Sequence, residues 1–332
     1  MKVKCFSTHS FEERYLTKWA QTYKLDIDFL SSSLNKDVVS LAKGYDCISC
    51  WPSDDLGKEV LESLHGFGVK MISLRSAGFS HLDLAKAKEL GMTITRVPSY
   101  SPEAIAEHTL GLLMCLNRKY LKAFQRVRDF NFTLEGLEGV NIHGKTVGVV
   151  GTGQIGEAFA RIMKGMGCTL LLNDKVENTE LAKEIGAKYV DLDTLLSQSD
   201  IISLHCPLNE STRYLINSKN IDLIKPSAFL LNTGRGGLID TKALIDKLKK
   251  REIKGVGLDV YEHEENVFFK DHSDMGLSDE LLLRLMSFPN VLITSHQAFF
   301  TKEALDNIAK TSLENINNFF HQKENLKENR LT

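Results

Sequence analysis

The stretch VGVVGTGQIG, residues 147–156, decides the fold of this chain. It reads as an apolar strand, a glycine-rich turn and a helix that begins near Gln154. In this pattern Gly151 allows a tight turn, Gly153 lets a pyrophosphate approach the backbone, and Gly156 lets the helix pack on the strand. The pyrophosphate would lie at the positive N-terminus of that helix. The stretch therefore predicts a dinucleotide-binding fold.

Asp174 follows the next predicted strand, residues 170–172. A carboxylate at that place accepts hydrogen bonds from the adenosine ribose and repels a 2′-phosphate. Lys175 softens this repulsion slightly, but no arginine cluster follows. The sequence therefore favours NAD over NADP, and the alternative is a solvated loop aspartate.

Composition limits the classes of function. The 332 residues include 41 Lys and Arg against 43 Asp and Glu, a net charge of −2, which gives no electrostatic footprint for nucleic acid. No run approaches eighteen apolar residues, and the start MKVKCFSTHS lacks the apolar core of a signal peptide. With six scattered cysteines, this pattern predicts a cytoplasmic protein with reduced thiols and no membrane association.

Two groups of residues of metal-ligating types are better explained by ordinary structure than by a metal site. Cys47 and Cys50 form a CxxC, but no second pair completes a zinc site, and the run looks like a buried strand. The polar, acidic segment 263–280 predicts a solvated surface excursion, although it holds a tempting set of ligand types: His263, Glu265, Asp271, His272 and Asp274. No ligand spacing recurs in this set, so we expect no metal site.

Strands and helices alternate along the whole chain, which predicts parallel sheets with helices on their faces. The predicted strands are residues 3–6, 47–50, 69–74, 94–97, 147–150, 170–172, 188–190, 201–204, 228–231, 255–258 and 291–294. The predicted helices include residues 12–23, 60–64, 84–90, 103–118 with Pro102 at its first position, 242–250 and an amphipathic 301–320. The fold class is α/β, with two Rossmann-like, doubly wound parallel-sheet domains.

Three polar side chains follow predicted strands of the second domain, at the edge where open α/β sheets bind ligands. Arg235, among glycines in LLNTGRGGLID, could grip a small carboxylate with two hydrogen bonds, or could instead pair with Asp240. Glu264 and His296 follow the next two strands, and a histidine with a carboxylate partner is typical of proton transfer. Taken alone, His296 is better explained as a structural histidine with satisfied hydrogen bonds than as a catalytic one.

At this point the chain resembles the NAD-dependent D-2-hydroxyacid dehydrogenases, and most closely their fermentative D-lactate dehydrogenases. The resemblance covers essentially the whole chain. It rests on the blocks LRSAGFSHLDL, RVPSYSPEAIAEH, GKTVGVVGTGQIG, DIISLHCPL, NTGRGGLID, GLDVYEHEENVFF and SHQAFFTKEAL, in that order. No single block is specific, but their order is.

The resemblance implies roles for the matching positions. Arg235 would hold the substrate carboxylate and polarise the keto group, and His296 would donate a proton to the carbonyl oxygen as NADH delivers hydride. Glu264 would hydrogen-bond His296 and favour its protonated form. Residues expected at the cofactor are Gly151, Gly153, Gln154, Ile155, Gly156, Asp174, His205, Cys206, Pro207, Thr233, Gly234 and Asp259. Residues expected at the substrate are Ser76, Ala77, Gly78, Tyr100, Arg235 and Phe299.

The resemblance also implies the architecture. The substrate domain would be discontinuous, residues 1–100 and 300–332, with the NAD-binding domain, residues 101–299, inserted in it. The long helix after Pro102 often takes part in dimer formation in this family, so we expect a homo-oligomer, a dimer or a tetramer.

The leading hypothesis is reversible reduction of pyruvate to D-lactate with NADH. Aromatic residues near the expected pocket, Trp51, Tyr100, Phe299 and Phe300, fit a methyl side chain but are equally consistent with core positions. The alternative is a dehydrogenase for a bulkier 2-keto acid, such as phenylpyruvate or 2-ketoisocaproate. A third hypothesis, an NAD-sensing corepressor, would predict a partner-binding surface and disordered tails, and the sequence shows neither.

Overall fold

In the computed structural model, which describes residues 1–322, 326 and 328–332, the chain divides into two units. One unit comprises Met1–Ser101 together with Phe300–Thr332, and the other comprises Pro102–Phe299. The first unit is therefore discontinuous in sequence. Each unit carries one parallel sheet with helices packed on it.

The discontinuous unit, 1–101 with 300–332, begins with alternating strands and helices. In chain order they are β1 (Lys2–Cys5), α1 (Ser10–Tyr23), β2 (Asp26–Phe29), β3 (Cys47–Cys50), α2 (Lys58–Gly66), β4 (Met71–Leu74), α3 (Leu84–Glu89) and β5 (Thr93–Thr95). The five strands pair in the order β2-β1-β3-β4-β5, all parallel. This order places the point where the strand sequence reverses between β1 and β3, where open α/β sheets bind ligands.

The inserted unit, 102–299, has more elements and a wider sheet. They are α4 (Pro102–Arg118), α5 (Tyr120–Arg128), β6 (Thr146–Val150), α6 (Gln154–Gly165), β7 (Thr169–Asn173), α7 (Thr179–Ile185), β8 (Lys188–Tyr189), α8 (Leu192–Gln198), β9 (Ile201–Leu204), β10 (Phe229–Asn232), α9 (Thr241–Lys249), β11 (Gly255–Leu258), α10 (Glu280–Met286) and β12 (Val291–Ile293). Helix α11 (Lys302–Phe320), which follows β12, belongs to the discontinuous unit.

The seven strands of the inserted unit are parallel and pair in the order β12-β11-β10-β9-β6-β7-β8. This is the strand order of dinucleotide-binding domains with one added edge strand. The order reverses between β6 and β9, so the loops that follow these two strands flank the crevice where such sheets bind their ligands. Gly151 follows β6 and His205 follows β9. The predicted fold class is confirmed.

Strand side chains divide the core of each unit between the two faces of its sheet. In β10, Leu230 packs in one apolar cluster, while its neighbours Phe229 and Leu231 pack in the cluster on the other side. Burial on both faces explains why the strands read as continuous apolar runs rather than alternating ones. The amphipathic helix α11 contacts α1 and β4, so it packs on the sheet of the discontinuous unit.

No bounds were predicted from the sequence for β2 and α5, or for the short helices α7, α8 and α10. Strand β2 has alternating exposed and half-buried residues and forms an edge, so it lacks the apolar signal of the central strands. Helix α5 buries none of its residues. In the segment 263–280 only a short 3-10 turn forms, at Glu264–Asn266, before α10 begins. Within this predicted surface segment, Phe268 is buried and anchors the chain to the apolar core.

Among the described residues, no helix is long and apolar enough to cross a membrane.

Candidate active site

The glycine loop after β6 has the backbone that a dinucleotide needs. Gly151 has φ +90°, a left-handed conformation that disfavours residues with a side chain, and a Cβ there would lie 2.4 Å from the Cys206 amide nitrogen. A Cβ on Gly156 would lie 1.8 Å from the Gly151 carbonyl oxygen. Gly153 precedes α6 as its N-cap, and a Cβ there would meet nothing within 4 Å. Gly151 and Gly156 are thus required by packing, and Gly153 leaves open space at a helix N-terminus.

That open space fits a pyrophosphate, because the first amides of α6 have no partner inside the helix. Gln154 and Ile155 are the first two residues of α6. The residues present therefore fit the dinucleotide that the fold class implies.

Asp174 directly follows β7 and is hydrogen-bonded to Thr152 of the glycine loop. Its Oδ2 accepts hydrogen bonds from the Thr152 amide (2.6 Å) and hydroxyl (3.1 Å), and its Oδ1 accepts from the Val176 amide (3.2 Å). Burial alone would raise the pKa of this carboxyl, but the hydrogen bonds outweigh burial and lower the pKa below its ordinary value. Asp174 is therefore a fixed negative charge beside the loop.

His205, Cys206 and Pro207 follow β9, directly beside the glycine loop. The His205 Nε2 lies 2.8 Å from the Ser203 hydroxyl, while its Nδ1 is buried and has no hydrogen-bond partner among the described residues. Burial lowers the pKa of His205 to about 3, so the ring is neutral. Pro207 is exposed. An orphaned buried nitrogen beside the glycine loop is consistent with a polar group being bound there.

The loop after β10 carries Thr233, Gly234 and Arg235. The Thr233 hydroxyl is buried and lies 2.8 Å from the hydroxyl of Thr109 on α4. Arg235 donates from Nη1 to the Gly234 carbonyl (2.7 Å), and among the described residues it forms no ion pair. Asp240, the alternative partner, instead caps α9 through the amides of Lys242 and Ala243. Within the described part of the chain, no carboxylate therefore neutralises the guanidinium of Arg235.

His296 and Glu264 form a close pair. The His296 Nδ1 lies 2.6 Å from the Glu264 Oε1, and both side chains remain partly exposed. The other carboxylate oxygen of Glu264 accepts from the Tyr261 amide (2.9 Å), which fixes the carboxylate plane. Because the Nδ1 is engaged by Glu264, the Nε2 is the atom of the ring that can address a substrate.

Asp259, directly after β11, organises the loop that holds His296. It is fully buried, and its carboxylate accepts from the Thr294 hydroxyl (2.5 Å) and from the amides of Gln297 (2.9 Å) and Ala298 (2.8 Å). Burial alone would raise the pKa of Asp259, but these bonds and the neighbouring His108 hold it below its ordinary value. Asp259 is thus ionised and fully bonded within its own unit.

His108 was not singled out from the sequence. Its Nε2 lies 3.1 Å from the Thr294 hydroxyl and 3.4 Å from the Asp259 carboxylate. The only signal was its place in the block RVPSYSPEAIAEH, on the helix that begins at Pro102. A histidine inside an apolar helix gives no indication of which strand end it will contact.

Three adjacent strands therefore supply the reactive groups. Arg235 follows β10, Asp259 and Glu264 follow β11, and His296 follows β12. Carboxyl ends of parallel strands meet at one edge of the sheet, so these loops lie side by side.

The discontinuous unit carries the other expected substrate residues. Ser76, Ala77 and Gly78 form a half-buried loop just after β4. Tyr100 is half-buried, and its carbonyl accepts from the Asn307 side chain (2.8 Å). Trp51 is buried, and the Phe300 ring packs edge-on against Phe11 at 4.8 Å.

Phe299 ends the inserted unit and is buried.

In the described part of the chain, a glycine loop suited to a dinucleotide shares its sheet with an arginine that has no ion-pair partner and with a histidine–carboxylate pair. This combination is typical of a class, the nicotinamide-dependent dehydrogenases of carboxylic acids. A family model for the NAD-binding domain of D-isomer specific 2-hydroxyacid dehydrogenases matches residues 110–298. The chain belongs to this family. It is an NAD-dependent enzyme that acts on a small 2-hydroxy or 2-keto acid, as the sequence predicted.

Named relatives cover nearly the whole chain. The D-lactate dehydrogenase of Escherichia coli strain K12 is 45% identical over 318 residues, which is 96% of each chain. The solved pyruvate reductase of Chlamydomonas reinhardtii is 43% identical over 97% of each chain, with a TM-score of 0.92. An NAD-complexed D-isomer specific 2-hydroxyacid dehydrogenase from Lactobacillus delbrueckii ssp. bulgaricus is 35% identical over 98% of each chain, with a TM-score of 0.81.

Proposed function

We propose that the enzyme reduces pyruvate reversibly to D-lactate with NADH. The observation that carries this proposal is the 2.6 Å contact between His296 Nδ1 and Glu264 Oε1. Arg235 lies at the neighbouring strand end and has no ion-pair partner among the described residues. Two of the similar proteins are named for D-lactate or pyruvate, which supports the choice of substrate.

Each reactive group has a separate role. Arg235 binds the substrate carboxylate with two parallel hydrogen bonds, because a guanidinium matches a carboxylate in geometry and charge. The protonated His296 donates from Nε2 to the keto oxygen, and Glu264 stabilises the imidazolium through Nδ1. When bound, the reduced nicotinamide supplies the hydride for the keto carbon. In the reverse direction His296 accepts the hydroxyl proton.

The remaining site residues bind the two reactants. Gly151, Gly153, Gly156 and the amides of Gln154 and Ile155 bind the pyrophosphate, and Asp174 binds the adenosine ribose. The residues His205, Cys206, Pro207, Thr233, Gly234 and Asp259 complete the cofactor site.

The backbone of Ser76, Ala77 and Gly78 binds the substrate carboxylate from the discontinuous unit. Tyr100 and Phe299 restrict the space for the substrate side chain, which favours a methyl group. Residues 1–100 with 300–332 thus form the substrate domain, and 101–299 the NAD-binding domain.

Steady-state oxidation of NADH with a series of 2-keto acids tests this proposal. We expect the highest kcat/KM with pyruvate, lower values with phenylpyruvate and 2-ketoisocaproate, and D-lactate as the product. The formation of L-lactate would contradict the proposal. A higher kcat/KM with a bulkier acid would favour the alternative, a dehydrogenase for that acid, on the same machinery.

We propose a homodimer as the minimal assembly, with a tetramer built from dimers as the alternative. Apolar side chains on α5 and the loop after it are exposed: Tyr120, Leu121, Phe124, Val127, Phe130, Phe132 and Leu134. We call this surface the α5 patch. Exposing this many large apolar side chains within one short stretch is costly in water and typical of a protein interface.

We also place the enzyme in the cytoplasm. All six cysteines are unpaired, which suits a reducing compartment. Immunoblotting of cell fractions tests this assignment, and recovery in a membrane or secreted fraction would contradict it.

A further inference from the structure

In the loop Ser76–Gly78, every carbonyl is held by a partner within the same unit. The Ser76 carbonyl accepts from the Val97 amide (3.0 Å), and the Gly78 carbonyl accepts from the Ser76 hydroxyl (2.7 Å). The Ala77 carbonyl accepts from Nη1 of Arg96 (3.0 Å). Among the described residues, the amides of Ala77 and Gly78 donate to no acceptor in the protein.

These bonds fix the directions of the loop amides. In a trans peptide the C=O and the N–H point in opposite directions, and the described chain has no cis peptide bonds. The Ala77 carbonyl and the Gly78 amide belong to one peptide, so the bond from Arg96 turns the Gly78 N–H away from the guanidinium. Unpartnered amides in a turn are suited to binding an anion.

Arg96 is itself held firmly from the other side. Its amide donates to the Asn329 carbonyl (2.9 Å), and its carbonyl accepts from the Asn315 side chain (3.1 Å). The side chains of Asn329 and Asn315 are hydrogen-bonded to each other at 2.8 Å. The Arg96 guanidinium lies 5.4 Å from the centre of the Phe79 ring, and Arg96 forms no ion pair among the described residues. Neighbouring groups therefore hold both the backbone and the guanidinium of Arg96 in the position from which it donates to Ala77.

The start of the loop is anchored by Arg75. This buried guanidinium donates to the Phe6 carbonyl (2.6 Å), the Ser49 hydroxyl (3.0 Å) and the Glu12 carboxylate (3.1 Å). Arg75 thus joins the loops after β1 and β4 to β3 and α1, but none of its bonds sets the direction of the Ala77 or Gly78 amide. Among the residues that the structure describes, only Arg96 is bonded to the peptide between those two residues.

We infer that Arg96 is a positioning residue for substrate binding: it orients the Ala77–Gly78 peptide so that the Gly78 amide donates to the substrate carboxylate. This inference rests on the proposed role of Ser76–Gly78. Arg96 contacts the loop rather than the substrate, so its loss should weaken carboxylate binding and leave the chemical step and the cofactor site unchanged.

The test compares Arg96→Met with the wild type in three measurements. We expect the KM for pyruvate and the dissociation constant of oxamate, a pyruvate mimic, to rise by about tenfold. The variant removes the charge-assisted hydrogen bond from Arg96 to the Ala77 carbonyl, so the Gly78 amide no longer has a fixed direction. We expect kcat to change by less than about twofold, because the interaction is with the ground state and the transition state alike. The dissociation constant of NADH should not change.

Control variants separate positioning from folding. Arg14, an exposed arginine of the same unit that donates to the Tyr15 hydroxyl, supplies Arg14→Met, which should keep wild-type constants. Arg96→Lys keeps the charge without the planar fork and should give an intermediate KM. If Arg96→Met does not fold, Arg96→Gln, which is too short to reach the Ala77 carbonyl, should show the same rise in KM.

Each outcome bears on the inference. An unchanged pyruvate KM and unchanged oxamate binding in folded Arg96→Met or Arg96→Gln would overturn it while leaving the proposed function intact. A wild-type enzyme that neither reduces a 2-keto acid nor binds oxamate would overturn both. A lower melting temperature with an unchanged KM would show that Arg96 is merely structural.

Discussion

Asp259 holds His296 in a left-handed backbone conformation. His296 has φ +53°, its amide donates to the Asp259 carbonyl (2.7 Å), and the next two amides donate to the Asp259 carboxylate. A residue with a side chain adopts this conformation at a cost, so the surrounding bonds must outweigh the strain. The orientation of the histidine thus depends on a buried carboxylate that is bonded to the loop after His296.

Replacing Asp259 with Asn should therefore disturb both stability and turnover. The side-chain oxygen of asparagine could still accept some of these hydrogen bonds. Its NH2 group, however, would face N–H or O–H donors and leave buried groups unpaired. We expect the free energy of unfolding to fall by about 1–3 kcal/mol, and kcat to fall with it as His296 loses its orientation. Denaturant unfolding and steady-state kinetics measure the two effects. Wild-type kcat in a folded variant would contradict this positioning role.

The stabilisation by Asp259 should also depend on pH. Its pKa in the folded protein is lowered from the ordinary value of 3.8, so its carboxylate stabilises the fold above that value. The stabilisation is lost as the pH falls through the folded-state pKa. The difference in unfolding free energy between the wild type and Asp259→Asn should shrink below pH 3.8. A difference that is constant from pH 7 to acid would exclude this linkage.

Glu264→Gln tests the histidine–carboxylate pair. The substitution keeps the shape but removes the negative charge 2.6 Å from His296 Nδ1, so the imidazolium loses its stabilisation. We expect the pH at which pyruvate reduction falls to half its maximum to shift to lower pH, with kcat reduced roughly tenfold to hundredfold. The pH–rate profile measures both. A profile identical to that of the wild type would contradict the coupling.

Arg235→Lys tests the carboxylate grip. Lysine retains the charge but not the two parallel donors, so the KM for pyruvate should rise by about tenfold or more. Arg284, which lies on α10 above the Phe288 ring, provides the matched control Arg284→Lys with an unchanged KM. An equal KM in Arg235→Lys and in the control would exclude Arg235 from substrate binding.

Asp174→Asn tests the choice of cofactor. Removing a fixed charge at the ribose position should lower the ratio of kcat/KM for NADH to that for NADPH by about tenfold. The Thr152 amide keeps an acceptor in this variant, so the glycine loop should remain in place. Kinetics with both cofactors at saturating pyruvate measure the ratio. A ratio unchanged by the substitution would contradict the proposed role of Asp174.

Phe124→Asp tests the α5 patch as a dimer interface. A charge buried at an apolar interface costs free energy, so the variant should sediment as a monomer. Met275, which is 93% exposed outside the α5 patch, supplies the control Met275→Asp, expected to keep the wild-type assembly. Sedimentation velocity of the wild type and the two variants measures their assembly state. Equal assembly of Phe124→Asp and the wild type would place the interface elsewhere.

The strongest local patterns predicted the fold and the cofactor loop. The glycines of residues 147–156 were informative because a positive φ at Gly151 and the close approach at Gly156 admit no other residue. Central strands were found because burial on both faces makes them continuous apolar runs. The edge strand β2 and the exposed helix α5 were missed, because neither buries a face that would leave a periodic signal.

By itself, the sequence predicted the two parallel-sheet domains and the NAD loop, since these depend on residue type at short spacing. The roles of Arg235, Glu264 and His296 rested on the resemblance to a family. Only the tertiary structure decided which groups meet across the chain. Asp259 reaches the amides after His296 because β11 and β12 pair in the sheet, and Arg96 reaches the Ala77 carbonyl across 19 positions. Such contacts depend on strand order and packing, which no local pattern of residues encodes.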